Sequence, residues 1–198
     1  MNKSEFLNLF KLSPLAESSH QFRYSLVSDR PTRQAAVLIA ITERNNQLEI
    51  LLTKRAKHLK HHAGQISFPG GKAEAHDDNL KVTAVREFEE EVGIKREQLE
   101  LLGCMHPYQT ISGFDVLPVI AYLHEPITFN IDTNEVDEVF FVPLEHCLDT
   151  NNHLHVATQL RGQDYKVTFI PYQDYNIWGA TAAMLKDFAL HFQQPSLG

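Results

Sequence analysis

GGKAEAHDDNLKVTAVREFEEEVGI, residues Gly70 to Ile94, carries seven acidic residues and runs through Gly93 near its end. Leu80, Ala84, Val85, Phe88 and Val92 recur at helical spacing, which predicts a helix over 78–92 with one apolar arc facing a core. Asp77 or Asp78 is placed to cap its first turn, and Gly93 suits the left-handed position past its end. Glu87, Glu90 and Glu91 fall at i, i+3 and i+4, on a stripe about 100° wide beside the apolar arc. Like charges at that spacing repel by roughly a few tenths of a kcal/mol per pair. A cation from outside the chain would offset that cost.

Two readings of the stripe stand open. A run of glutamates is often a solvated face. Here the carboxylates adjoin the apolar arc, so partial shielding is expected, and Arg86 can pair with Glu90 one turn on. Partly shielded carboxylates need cations, and an all-oxygen set suits Mg²⁺ or Mn²⁺.

Taken whole, the stretch resembles the signature of the Nudix hydrolases: Gly, five residues, Glu, seven residues, Arg-Glu-apolar-any-Glu-Glu-any-Gly-apolar. Arg86-Glu87-Phe88-Glu89-Glu90-Glu91-Val92-Gly93-Ile94 agrees at every fixed position of the second half. The first half departs: Asp78 stands where the pattern has Glu, and the loop from Gly71 to Arg86 is one residue longer. The lead-in LLTKRAKHLKHHAGQISFPGG, residues 51–71, is similar to the segment that marks the coenzyme A pyrophosphatase branch. Leu51, Leu52, Thr53, Arg55, Ala56, Gly64, Phe68, Pro69, Gly70 and Gly71 fit that pattern; Lys60 replaces an Arg, keeping the charge and losing a two-pronged donor. With ISGFDVLPVIAYL, VFFVPL and IWGATAAML downstream, the resemblance covers roughly residues 34–190.

The resemblance implies a mixed α/β Nudix fold, a sheet sandwiched between helices with the signature as loop-helix-loop. It implies metal-dependent hydrolysis of the diphosphate of coenzyme A or an acyl-CoA, giving 3′,5′-ADP and 4′-phosphopantetheine or its acyl form. Glu87, Glu90, Glu91 and the Gly71 carbonyl are the expected metal ligands, with Arg86 bracing them. Glu90 or Glu135 is the expected general base, with Glu138 behind them. Arg55, Lys60 and Gly70 are expected at the substrate. Alternatives within the class are ADP-ribose, NADH and dinucleoside polyphosphates; outside it, a nucleotide-binding regulator without catalysis.

Outward from the signature, AAVLIAIT (35–42), LEILLTK (48–54) and QISF (65–68) read as strands, the last ending on the breaker Pro69-Gly70-Gly71. LELLGCMH (99–106), VLPVIAYL (116–123) and VFFVPL (139–144) read likewise, and 153–158 with 165–170 as a hairpin around Gly162. A C-terminal helix is expected over 176–194 and a short amphipathic one over 4–12. The expected organisation is an N-terminal helix and linker, 1–30, packing on one domain, 31–198. Lys54, Arg55, Lys57 and Lys60 crowd a short segment with His58, His61 and His62, a solvated loop or a phosphate clamp. No acidic or cysteine residue is spaced to make zinc ligands of those histidines.

The 198 residues carry a net charge of -7, against a duplex nucleic-acid binder but compatible with a small anionic substrate. Cys104 and Cys147 share no disulfide or zinc spacing. No stretch resembles a signal peptide, a bilayer span or a peroxisomal address, so a cytoplasmic protein is expected, with no membrane partner. A homodimer is compatible with the sequence.

Overall fold

The computed structural model describes residues 1–12, 32–160 and 162–193. The linker expected before residue 30 falls mostly outside them. In chain order the described elements are α1 (Lys3–Leu12), β1 (Arg33–Arg44), β2 (Gln47–Arg55), β3 (Ile66–Ser67), β4 (Gly70–Lys72) and α2 (Leu80–Val92). There follow β5 (Leu99–Cys104), β6 (Tyr108–Gln109), β7 (Phe114–Leu123), β8 (Val136–Pro143) and α3 (Leu144–Leu148). Last come β9 (Leu154–Leu160), β10 (Gln163–Tyr172), β11 (Tyr175–Trp178) and α4 (Gly179–Gln193).

β1 is the axis of the mixed sheet. It runs parallel to β7 from Arg33 to Ile41 and antiparallel to β2 from Ile41 to Arg44. Its continuous apolar run is explained by burial on both faces. Ala36, Leu38 and Ala40 pack with Ala84, Val85, Phe88 and Val92 of α2, while Ile39 and Ile41 join a core with Phe6 of α1 and Phe188 of α4. Helices therefore cover both faces of the sheet, the layered α/β arrangement expected. On the α1 side, Phe6 lies 6.1 Å from Phe10 and 6.4 Å from Phe188, between ring centroids.

Beyond Ile41 and Ile50 the β1–β2 pairing stops, and the segment 66–72 fills the fork. β3 pairs with β2 at Thr53 and Lys54, and β4 pairs with β1 at Ala35, Ala36 and Val37. The Leu38 N–H donates to the Pro69 carbonyl at 2.9 Å, holding the corner between them. The fork delivers Gly70-Gly71 beneath α2.

β9, β10 and β11 form a separate antiparallel sheet. The expected helix over 176–194 begins at Gly179 instead, because Asn176-Ile177-Trp178 pairs with β10. Ile177 is buried there while Trp178 is exposed, the alternation of a strand.

Candidate active site

Gly70 and Gly71 are required by close approach. A Cβ on Gly70 would lie 2.4 Å from the Ala36 carbonyl oxygen; on Gly71 it would lie 2.4 Å from the Glu87 carboxylate carbon. The Glu87 side chain therefore rests directly on the Gly71 backbone. Only a chain without side chains passes between the sheet and this carboxylate.

α2 begins one residue later than either aspartate could cap. Asn79 is the cap, its Oδ1 accepting from the N–H groups of Lys81 at 3.0 Å and Val82 at 3.2 Å. Asp77 is engaged with Arg86 instead. Its carboxylate accepts from Arg86 Nε and Nη2, both at 3.0 Å, and from the Thr83 hydroxyl at 2.9 Å. The Asp77 side chain is 2% exposed, and the Arg86 guanidinium holds it well below the usual carboxylate range. Asp78, the residue that the signature's spacing selects, is exposed. The extra loop residue moved the acidic anchor one place back.

Arg86 directs its remaining donors to the stripe and the loop below it. Nη1 donates to Glu87 at 3.0 Å and to Glu90 at 2.9 Å, and Nη2 donates to the Lys72 carbonyl at 3.1 Å. The expected Arg86–Glu90 pair is present. Shielding is uneven, however: Glu87 is 15% exposed, Glu91 3% and Glu90 59%. Glu90 opens instead onto a groove of 640 Å³ along the outer side of α2, shared with Val82, Val85, Arg96 and Leu101.

Glu91 is the anomaly. Both its carboxylate oxygens are buried without a hydrogen-bond partner. Burial pushes its pKa up to about 8; Arg55 opposes the rise, as does the nearby Gly70 N–H without making a well-formed hydrogen bond, while the negative charges of Glu135 and Glu87 add to it. Arg55 Nη1 lies 3.9 Å from Glu91 Oε1, a loose contact. Burial also raises the Glu87 pKa, against the Arg86 hydrogen bond, with Glu90 and Glu135 adding.

Glu135 arrives from the opposite side. Its carbonyl accepts from the Ala56 N–H at 2.8 Å, and the Asp132 N–H donates to the Glu91 carbonyl at 3.0 Å, tying this loop to β2 and α2 together. Glu138 is engaged elsewhere, accepting from the Tyr175 hydroxyl and lying 4.0 Å from Lys54 Nζ. Lys60 is exposed in the loop after β2, and His62 contacts Gln65 at 2.8 Å. The structure thus gathers Gly70, Gly71, Arg55, Arg86, Glu87, Glu91 and Glu135; Glu90 stands at the edge and Lys60 in the loop. Sequence reasoning missed Asp77 as the Arg86 anchor. The one signal for it was the additional residue between Gly71 and Arg86.

Among the described residues no three His, Cys, Asp or Glu side chains already converge as a ligand set. The donors nonetheless fit a hard divalent cation. Two orphaned oxygens on Glu91 need a positive partner, and the Glu87 carboxylate lies against the backbone of Gly71.

Residues 32–161 match the family model described as the NUDIX domain. The chain is 39% identical over 158 residues to an uncharacterized Nudix hydrolase NudL of Enterobacter sp. (strain 638), covering 80% of this chain and 82% of that protein. It is 35% identical over 190 residues to its Klebsiella pneumoniae counterpart, covering 96% and 94%. Of the solved structures, the Nudix hydrolase RenU from M. smegmatis superposes with a TM-score of 0.51 at 25% identity, covering 58% of this chain and 72% of that one.

Proposed function

The chain belongs to the Nudix family of pyrophosphohydrolases, and we propose that its substrate is coenzyme A or an acyl-CoA. Water adds to one phosphorus of the diphosphate and the bridging P–O bond breaks, so 3′,5′-ADP and 4′-phosphopantetheine, or its acyl form, leave. The observation that carries hydrolysis is Glu91, a buried carboxylate with no hydrogen bond to either oxygen and only the loose Arg55 contact, in the electrostatic field of Glu87 and Glu135. The coenzyme A assignment rests on residues 51–71, whose pattern is that of the coenzyme A branch.

Nudix hydrolases generally need a divalent metal ion. Glu87, Glu90, Glu91 and the Gly71 carbonyl would hold Mg²⁺ or Mn²⁺ here. When bound, that ion acidifies water and neutralises charge on the diphosphate. Arg86, anchored by Asp77, fixes Glu87 and keeps Glu90 within reach. Glu135, exposed at the mouth, accepts the proton of the attacking water, a role open also to Glu90. Glu138 is the weaker base because Tyr175 and Lys54 engage it. Gly70, pressed against the Ala36 carbonyl, holds the chain where Gly71 lies under Glu87, at the edge of the space proposed for the substrate. Arg55 and Lys60 grip the phosphates, Arg55 from its loose contact with Glu91.

The test incubates purified protein with coenzyme A, dephospho-coenzyme A, ADP-ribose and NADH, each with Mg²⁺, Mn²⁺ or chelator, and identifies products by mass. Metal-dependent release of 3′,5′-ADP, fastest from coenzyme A, is expected. Faster turnover of ADP-ribose or NADH would remove the coenzyme A assignment and leave the acidic site standing. Glu90→Gln should keep the fold and lose most turnover.

A further inference from the structure

The separate sheet has one covered face and one bare one. Thr168, Ile170 and Ile177 point into the protein, with Ile170 and Ile177 sharing a core with Leu185 and Phe188 of α4. Strand alternation puts Leu154 and Val156 of β9, Val167, Phe169 and Pro171 of β10 and Trp178 of β11 on the other side. Leu154 and Val156 are each 53% exposed and Trp178 42%, half of the large apolar residues that the described chain leaves exposed. The Phe169 and Trp178 rings stack at 6.2 Å between centroids, and a shallow hollow of 400 Å³ lies beside them. A contiguous apolar face of this kind marks an interaction surface.

We infer that this face docks a second copy of the chain, sheet against sheet. Charge selects the partner first. Each chain carries a net charge of -7, so two copies repel overall, and a contact between them is least costly where the face itself carries little charge. Among the described strand residues this face presents no charge: Thr158, Tyr165 and Asn176 are the polar side chains among its apolar ones, Asp164 and Lys166 alternate to the opposite side, and Asp174, in the turn between β10 and β11, lies at the rim of the hollow. Shape selects it second. Leu154 and Trp178 both pair with Phe169, so they lie level on either side of β10. A two-fold axis parallel to β10 therefore sets each Trp178 over the Leu154 of the other copy, bulky on small, at both ends of the contact. Size is compatible. Strands of 7, 10 and 4 residues offer at most on the order of 600 Å² per copy, the lower end of what specific dimers bury.

The test is sedimentation equilibrium of the full chain from micromolar to several hundred micromolar, beside Leu154→Glu and Val156→Glu. Wild type should weigh as a dimer at the upper concentrations. Both variants should weigh as monomers with unchanged circular dichroism and unchanged metal-dependent hydrolysis. With Cys104→Ser in the background, a Leu154→Cys/Trp178→Cys double variant should crosslink between chains under oxidation, and neither single variant should. A wild type that is monomeric throughout overturns the inference, as does a dimer that survives both glutamates. Crosslinking of the Leu154→Cys single variant would overturn the two-fold arrangement.

Discussion

Glu91 on α2 is 3% exposed and set into the packing of helix against sheet, whereas Lys60, in the loop after β2, is exposed and has no ion pair among the described residues. The acidic half of the site is built by the fold. Gly71 rests on Glu87, Asp77 anchors Arg86, and Arg86 ties two glutamates together before any substrate arrives. The basic half, Arg55 at the end of β2 apart, is a loop whose cations Lys57 and Lys60 stand exposed. On the proposed roles of these residues, chemistry and specificity are separable. Damage to the acidic half should lower turnover for every diphosphate, while damage to the basic half should alter affinity for one of them.

That contrast breaks most visibly at Glu91. Glu91→Gln keeps the shape, removes the charge, and should lower kcat about 10²–10³-fold on all substrates. A loss confined to coenzyme A would merge the two halves again. Gly71→Ala comes next: its methyl would stand 2.4 Å from the Glu87 carboxylate carbon, so kcat should fall about 10–100-fold. Kinetics alongside a thermal melt would check that the fold survives. Asp77→Ala takes two hydrogen bonds from the Arg86 guanidinium, leaving Nε without an acceptor, and should cost about 1–3 kcal/mol of stability by urea denaturation, with a smaller loss of kcat. An unchanged midpoint would show that Glu87, Glu90 and the Lys72 carbonyl hold Arg86 without it. Lys60→Ala is the mildest, raising KM for coenzyme A about 3–10-fold at nearly constant kcat, and less for dephospho-coenzyme A if Lys60 meets the 3′-phosphate.

Much of the fold could be read from local pattern because its elements are locally consistent. β1 is apolar on both faces and buried on both, and the arc of Ala84, Val85, Phe88 and Val92 packs as its spacing requires. The failures have physical causes. Asp77, Asp78 and Asn79 all carry a capping oxygen, so only the point where helical turns begin decides which one caps. The answer frees Asp77 for Arg86, nine residues on and invisible to helical spacing. Asn176-Ile177-Trp178 continues the apolar texture of α4, yet its pairing with β10 is set by a turn at Asp174 that no periodicity reports. The fork between β1 and β2 is non-local, so the sequence could name Gly70-Gly71 as a breaker but not set it beneath α2. Likewise the stripe of three glutamates was legible as a stripe, but the burial of Glu91 and the exposure of Glu90 come from the strands and loops around α2.

The central claim is that Glu91 waits for a cation, and its protonation supplies the most direct test. Its folded pKa near 8 stands above the ordinary 4.5, so between those values the folded chain holds a proton that the unfolded chain has released. The stability this contributes is complete below about pH 4.5 and is lost as pH rises through about 8. A bound divalent cation would reverse the preference by favouring the ionised carboxylate. The measurement is a set of melts of wild type and Glu91→Gln at pH 5.5 and pH 8.5, each with Mg²⁺ and with chelator. The account predicts that metal-free wild type loses melting temperature relative to Glu91→Gln at the higher pH and that Mg²⁺ restores it in wild type alone. Equal responses of the two proteins to both pH and Mg²⁺ would contradict it.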